Sequence, residues 1–262
     1  MRKSTDICLL CNERQSTQRN SHLIPKHLGQ GIFYGTTPRH GILIDKSTGK
    51  ERKIQDIIKE DYILCQNCEK GISIFESYCA LRLERFNNLS CYNEFRKYKK
   101  GKFEFFECLR IDIRLFNLFI YSIVWRLSVT ENDSFLKFKL PNEEEEKIRL
   151  LINDYISPTQ NDLMNRLDKL DILPDNHSHV FIRPSIKLRP PKAMLSAASL
   201  NEWTHVIHMV DYILFYFTDR SKLVDVFTEI DNNTVDRFVR IGLLDPVNWE
   251  NYNFDLIKKW RN

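Results

Sequence analysis

Ser21-His22-Leu23-Ile24-Pro25-Lys26-His27-Leu28 is the stretch around which this chain is read, because it lies between two spaced cysteine pairs. Upstream stands Cys8-Leu9-Leu10-Cys11, and downstream Cys65-Gln66-Asn67-Cys68-Glu69. Two residues between cysteines let both sulfurs of a pair reach one tetrahedral ion, with Zn–S bonds of about 2.3 Å. With 53 residues between Cys11 and Cys65, the arrangement is zinc-ribbon-like and not a compact finger. One zinc held by all four cysteines would close that long loop and fix where His22 sits. Four protein ligands leave no open position for water, so the zinc is expected to build structure. Pro25 disfavours helix at Ile24 and keeps His22 on extended backbone.

Working outward, Ile42-Leu43-Ile44 and Arg52-Lys53-Ile54 flank the polar Ser47-Thr48-Gly49-Lys50, the pattern of a hairpin. Tyr62-Ile63-Leu64 is a strand candidate entering the second cysteine pair. Ile72, Phe75, Tyr78, Cys79, Leu81 and Leu83 suit a helix from Glu69 to about Phe86. Tyr92 to Lys102 interleaves rings with cations, including Arg96, Lys97, Lys99 and Lys100. That mixture suits nucleic acid, the rings for stacking and the cations for phosphate; a solvated helix end or linker would read the same way. Phe103 to Val129 is expected as one long helix, apolar all round in its middle and so central to a core. Glu143 to Glu146 sit where acidic residues complement a helix dipole, and a further helix is expected over Gln160–Leu170. Trp203 to Phe217 fits a buried strand pair or a helix. Ser221–Ile230 and Val235–Ile241 read as helical, and Trp249–Trp260 as a closing element. The expected architecture is therefore α+β in two domains. Residues 1–102 form a small zinc-stapled domain, and 103–262 a mainly helical accessory domain with a small β part.

Composition is that of a globular protein, with 42% hydrophobic and 28% charged residues among 262. The N-terminus carries no apolar leader, and Leu115–Trp125 is shorter than the roughly 17–25 residues of a membrane span. Seven cysteines without an export signal fit a reducing cytoplasm, where spaced pairs mean metal more often than disulfide. Cys79, Cys91 and Cys108 form no pair pattern and are expected only to pack. Residues 1–110 hold 20 Lys/Arg against 13 Asp/Glu, a net +7, whereas the remainder holds 19 against 22, a net −3. A basic front half fits a phosphate-rich partner.

Cys-x-x-Cys, then Ser-His-Leu-Ile-Pro-Lys, then Leu-Cys-x-x-Cys-Glu, over residues 8–80, resembles the HNH (His-Me finger) nucleases whose ββα core is stapled by a zinc ribbon. Joined to the Leu115–Arg126 helix, this front end is similar to uncharacterised bacterial proteins of that type. The resemblance implies a metal-dependent endonuclease that hydrolyses phosphodiesters, DNA before RNA. By analogy it places the protein in a bacterial defence or mobile-element system. His22 would be the general base and Glu69 a ligand for Mg²⁺ or Mn²⁺, with Glu76 a further oxygen donor. Lys26 and Lys70 would reach phosphate beside Arg96, Lys97, Lys99 and Lys100. His27 and His40 are weaker candidates for the ion or substrate. His177, His179, His205 and His208 read as structural or surface residues. The accessory domain would dimerise the protein, sense a ligand or dock an effector such as an ATPase. Two departures support a second reading. Position 21 is Ser where active members carry an acidic ligand, and the family's middle asparagine has no counterpart, since Asn67 lies inside the cysteine knuckle. A zinc-stapled relic that binds nucleic acid or a protein without cutting is the alternative.

Overall fold

The computed structural model describes residues 2–33, 40–44, 51–87, 94–100, 103–169, 177–185, 195–233 and 238–251. The fold is mixed α+β around a four-cysteine cluster. The chain opens on the first cysteine turn, closed by Cys8 N–H donating to the Arg14 carbonyl at 2.7 Å. Asn12 takes a left-handed φ of 55° there, a conformation asparagine adopts more readily than most residues. Strand β1 (Ser21–His22) is followed by the single turn α1 (Lys26–Gly29). Next come the hairpin strands β2 (Gly41–Ile44) and β3 (Glu51–Ile54), as the pattern predicts. The hairpin's turn lies outside the described residues. Strand β4 (Lys59–Glu60) then returns antiparallel to β1, with Ser21 opposite Glu60 and His22 opposite Lys59.

Tyr62-Ile63-Leu64 is not a strand. Tyr62 has φ 62°, which breaks an extended run, and its neighbours bond in two directions. Leu9 N–H donates to the Ile63 carbonyl and Gln18 N–H to the Leu64 carbonyl, each at 3.0 Å. The segment thus stitches the two cysteine pairs together. Helix α2 (Gln66–Asn87) starts within the second pair and buries Ile72, Phe75, Cys79 and Leu83. Gly71 on this helix lies hard against Ile156, where an added Cβ would stand 2.6 Å from Cδ1.

From here the structure departs most from expectation. Instead of a small β part, the accessory region carries a seven-stranded sheet. Its strands are β5 (Phe95–Lys100), β6 (Phe103–Cys108), β7 (Ser178–Pro184), β8 (Leu195–Ser199), β9 (Thr204–Met209), β10 (Tyr212–Phe217) and β11 (Val239–Leu244). Their order is β5-β6-β11-β7-β10-β9-β8, antiparallel except where β11 meets β7. Three longer helices accompany the sheet among the described residues: α3 (Ile113–Val129), α4 (Asn142–Tyr155) and α5 (Gln160–Leu167). Residues 246–251 are helical, and the remainder of the expected Trp249–Trp260 element lies outside the described residues. The helix expected over 103–129 is therefore a strand followed by a helix. Asp112 makes the break, its carboxylate accepting from Arg114 N–H at 2.9 Å as an N-cap. Residues 239–241, expected in a helix, belong to a strand, and the stretch 221–230 holds two 3₁₀ turns, Arg220–Lys222 and Asp225–Ile230. Trp203–Phe217 resolves into the strand pair β9 and β10.

Helix α3 is buried all round and sits at the centre. One side packs on the sheet: Phe116 meets Phe181 edge-on at 5.6 Å, and Phe181 stacks on Tyr212 at 4.6 Å. The other side faces the front of the chain, where Phe119 stacks on His27 at 5.8 Å. One hydrophobic core consequently runs from Cys8 and Leu10 through α2 and α3 to Phe181 and Ile241. The division at residue 102 falls within the β5–β6 hairpin. A second apolar cluster, including Val180, Ile213, Phe215, Phe217 and Trp249, covers the opposite sheet face. No helix among the described residues is long and apolar enough to cross a membrane.

Candidate functional site

Cys8, Cys11, Cys65 and Cys68 meet, their sulfurs all within 4.8 Å of one another. Among the described residues, this is the one group of three or more His, Cys, Asp or Glu ligand atoms gathered so closely. Four sulfurs in that volume fit a tetrahedral zinc. Crowded thiols cannot all keep their protons comfortably. Sulfur-to-sulfur contact with Cys68 holds Cys8 down at about 4, and the same contact pushes Cys68 up. Thiolate is the form that binds metal. Arg149 of α4 donates to the Leu10 carbonyl at 2.5 Å and braces the knuckle from the far side of the core.

About the cluster, β1, β4 and the first turns of α2 gather the remaining candidates. Ser21 is fully buried, and its hydroxyl donates to Glu69 Oε2 at 2.9 Å. This bond joins the strand that carries His22 to the helix that carries Glu69. Burial pushes the Glu69 carboxyl up, against the pull of Arg126 and the Ser21 hydroxyl. Glu76 lies two helical turns further along the same face of α2. It does not stand open: Arg126 Nη2 donates to its Oε1 at 2.5 Å.

His22 is half-buried, and its Nε2 has no hydrogen-bond partner. Burial, then the Lys59 ammonium, hold its imidazole below the usual histidine range. The ring is accordingly neutral at pH 7 and can accept a proton. Lys59, directly across the strand pair, bridges to Asp56 at 2.6 Å, so a cation and an anion both stand beside the imidazole. Neither Lys59 nor Arg126 was flagged by sequence. Lys59 sits in an unremarkable charged run. Arg126 shows only as a lone cation inside an apolar helix, one whose partners lie 50 and 104 residues earlier. His22, Glu69 and Glu76 do not converge as the cysteines do. A cation here would take one or two protein ligands and complete its shell with water and phosphate, which is how Mg²⁺ is commonly held.

Lys26 and Lys70 are exposed at the start of α1 and in the first turn of α2, and Asn67 is exposed beside Lys70. The basic segment proves to be the edge strand β5, so its cations alternate between two faces. Arg96 and Lys100 share one face, and Lys97 and Lys99 the other. Lys97 is bridged to Glu104 at 2.7 Å and Lys100 to Glu229 at 2.6 Å. Tyr98 stacks on Phe105 at 5.5 Å. The cationic face expected of a single recognition element is thereby split. Tyr92, Cys91 and Lys102 lie outside the described residues.

The remaining histidines fall away from the site. His27 is buried and apolar in its surroundings, which drives its ring down to about 4. His40 stands at the foot of β2. His177, His179, His205 and His208 are all buried in the accessory region, where the sequence left open a surface position. His179 Nε2 lies 2.9 Å from Asn117 Oδ1, and burial, with His177 nearby, takes its ring to about 3. His205 Nδ1 donates to Ser199 Oγ at 2.8 Å, because that hydroxyl spends its own proton on the Lys139 carbonyl. His177 pairs with Glu144 at 2.6 Å and ties α4 to the sheet. Cys79 and Cys108 pack in the core as expected. No family model, curated protein or solved structure matches this chain.

Proposed function

We propose that the protein is a metal-dependent endonuclease of HNH type, with His22 as general base. The observation that carries this reading is the β1–β4 strand pair leading into α2, with His22 on the first strand and the Ser21–Glu69 bond closing strand to helix. The four-cysteine cluster at the base of that unit fits the zinc-ribbon form of the fold. The neutral imidazole of His22, its Nε2 without a partner, would take a proton from water as the oxygen attacks phosphorus and the bond to the leaving oxygen breaks. Mg²⁺ or Mn²⁺ near Glu69 would supply stabilisation of the charge that develops on the phosphate and the leaving oxygen. Lys26 and Lys70 are exposed and suit phosphate as point charges, while Lys59 stands across the strand pair from His22, bridged to Asp56. DNA is the expected substrate, in a bacterial defence or mobile-element setting, with the accessory region docking a second copy or an effector.

Two observations favour the second reading, a binding module without catalysis. Glu76 is already neutralised by Arg126, and no three ligand atoms converge at His22. The deciding experiment incubates supercoiled plasmid and a structured RNA with the full-length protein in Mg²⁺ or Mn²⁺, beside His22→Ala. Cleavage by the wild type, reduced at least about 100-fold in His22→Ala, supports the nuclease. Equal cutting by both proteins sinks the assignment of the base. Salt-sensitive binding to nucleic acid with no strand breaks moves the protein to the second reading.

A further inference from the structure

Arg126 is the charged side chain that the site's own chemistry leaves unexplained. It comes from α3, in the accessory region, and its side chain is 1% exposed. Burial of that order excludes contact with a substrate phosphate. Its guanidinium makes four hydrogen bonds: Nε to the Ser122 carbonyl at 2.9 Å, Nη2 to Ser122 Oγ at 3.4 Å, Nη1 to the His22 carbonyl at 2.5 Å, and Nη2 to Glu76 Oε1 at 2.5 Å. The two bonds to Ser122 lock the fork to its own helix. The other two grip the strand that carries the base and the helix that carries Glu69. A planar guanidinium can hold both at once with fixed geometry, whereas an ammonium on a flexible stem cannot. Strand β1 is only two residues long: besides its pairing with Glu60 and Lys59, the Ser21–Glu69 bond and the flanking Asn20 and Leu23 amides hold it, and Arg126 adds the tie to α3.

We infer that Arg126 is a positioning residue for the His22 site, and that the accessory region completes the site by clamping β1 onto α2. This rests on His22 being the functional centre, but not on the centre being a nuclease. Seen this way, the two regions form one working unit. The Glu60 carboxylate of β4, bonded to the Thr130 hydroxyl at the end of α3, is a second tie between α3 and the front strand pair.

The test uses the full chain as Arg126→Lys and Arg126→Met. The uncharged variant strands Glu76 and can fail to fold, so the lysine variant, which keeps the charge, is the decisive one. Each protein is treated with diethylpyrocarbonate, and carbethoxylation of every histidine is followed by mass spectrometry. The expected result for Arg126→Lys is His22 labelling about tenfold faster, with His179 and His205 as protected as in the wild type and zinc content unchanged. If cleavage is established, kcat should fall about 100-fold with KM within a factor of two, as for a displaced base. Unchanged His22 labelling in Arg126→Lys overturns the inference. So does a uniform rise across all the histidines, which would mean a global structural role. Failure of the wild type to cut nucleic acid would sink the nuclease reading and leave the labelling to decide this one.

Discussion

Burial holds the histidines of the front and rear regions neutral alike, but their surroundings differ. His22 sits on a two-residue strand among Lys59, Asp56, Glu76 and Arg126, half in water. His179 and His205 sit in the middle of a seven-stranded sheet, packed against Tyr121 and Phe138. All three rings are held neutral. In the rear, burial achieves this and leaves the ring nothing to act on. In the front, the ring is half-buried and flanked by charges, with its unpartnered Nε2 shielded from solvent. The scaffolds differ in the same sense. The rear sheet is secured by apolar burial on both faces, each fully buried Phe or Leu contributing about 1.5–3 kcal/mol. The front sets short strands and turns beside α2, and adds to its end of the core four clustered cysteines and a few directed bonds.

The largest effect expected from this contrast comes from taking the metal away. Purified protein should contain one zinc per chain, and Cys68→Ser should lose it together with on the order of 10 °C of Tm. Metal analysis and a thermal melt check both, and a metal-free protein melting like the wild type would break the contrast outright. Phe181→Ala tests the other side. Removing a ring packed between Phe116 and Tyr212 should cost about 3–5 kcal/mol in urea denaturation while the zinc stays bound.

Acid should expose the rear histidines next. Rings at about 3 in His179 and about 4 in His205 lie below the unfolded value near 6.5, so the folded state binds fewer protons. Their contribution is full above pH 6.5 and is lost as pH falls toward the folded values, at up to about 1.4 kcal/mol per pH unit for each ring. Urea melts between pH 7 and pH 5 should show this slope, and His179→Asn should flatten it. A slope unchanged in that variant would deny His179 its neutral, buried role. Smallest is Gly71→Ala. Alanine is the better helix former by about 1 kcal/mol, but its Cβ would press on Ile156 Cδ1 and Cγ2 at 2.6 and 2.7 Å. The clash with a β-branched side chain should win, for a net loss of about 1–2 kcal/mol, recovered in Gly71→Ala/Ile156→Ala.

What could be read from the sequence follows the same divide. Cysteine spacing carries its own geometry, so the cluster was legible before any fold was known. Helix α3 was legible for its unbroken apolar middle, but its start was not. Phe103 to Cys108 runs into that apolar stretch, and only Asp112 as an N-cap marks where strand gives way to helix. Strand β11 hides for a related reason. Val239, Ile241 and Leu243 alternate as a buried strand should, but Arg240 and Gly242 between them give too short a pattern to outweigh the helical reading. In the site, His22 and Glu69 announce themselves by their place in a motif. Arg126 does not, because its contacts with His22 and Glu76 join residues 104 and 50 positions apart.

The position of β11 has a consequence for the order of assembly. It lies between β6 and β7, pairing Cys108 with Val239, 131 positions further along the chain. Until those last residues leave the ribosome, the β5–β6 hairpin has no ladder to the rest of its sheet. The cysteine cluster and the strand pair bearing His22 emerge first, but the sheet on which α3 rests closes last. A nascent chain therefore carries His22 well before it carries the finished sheet behind α3.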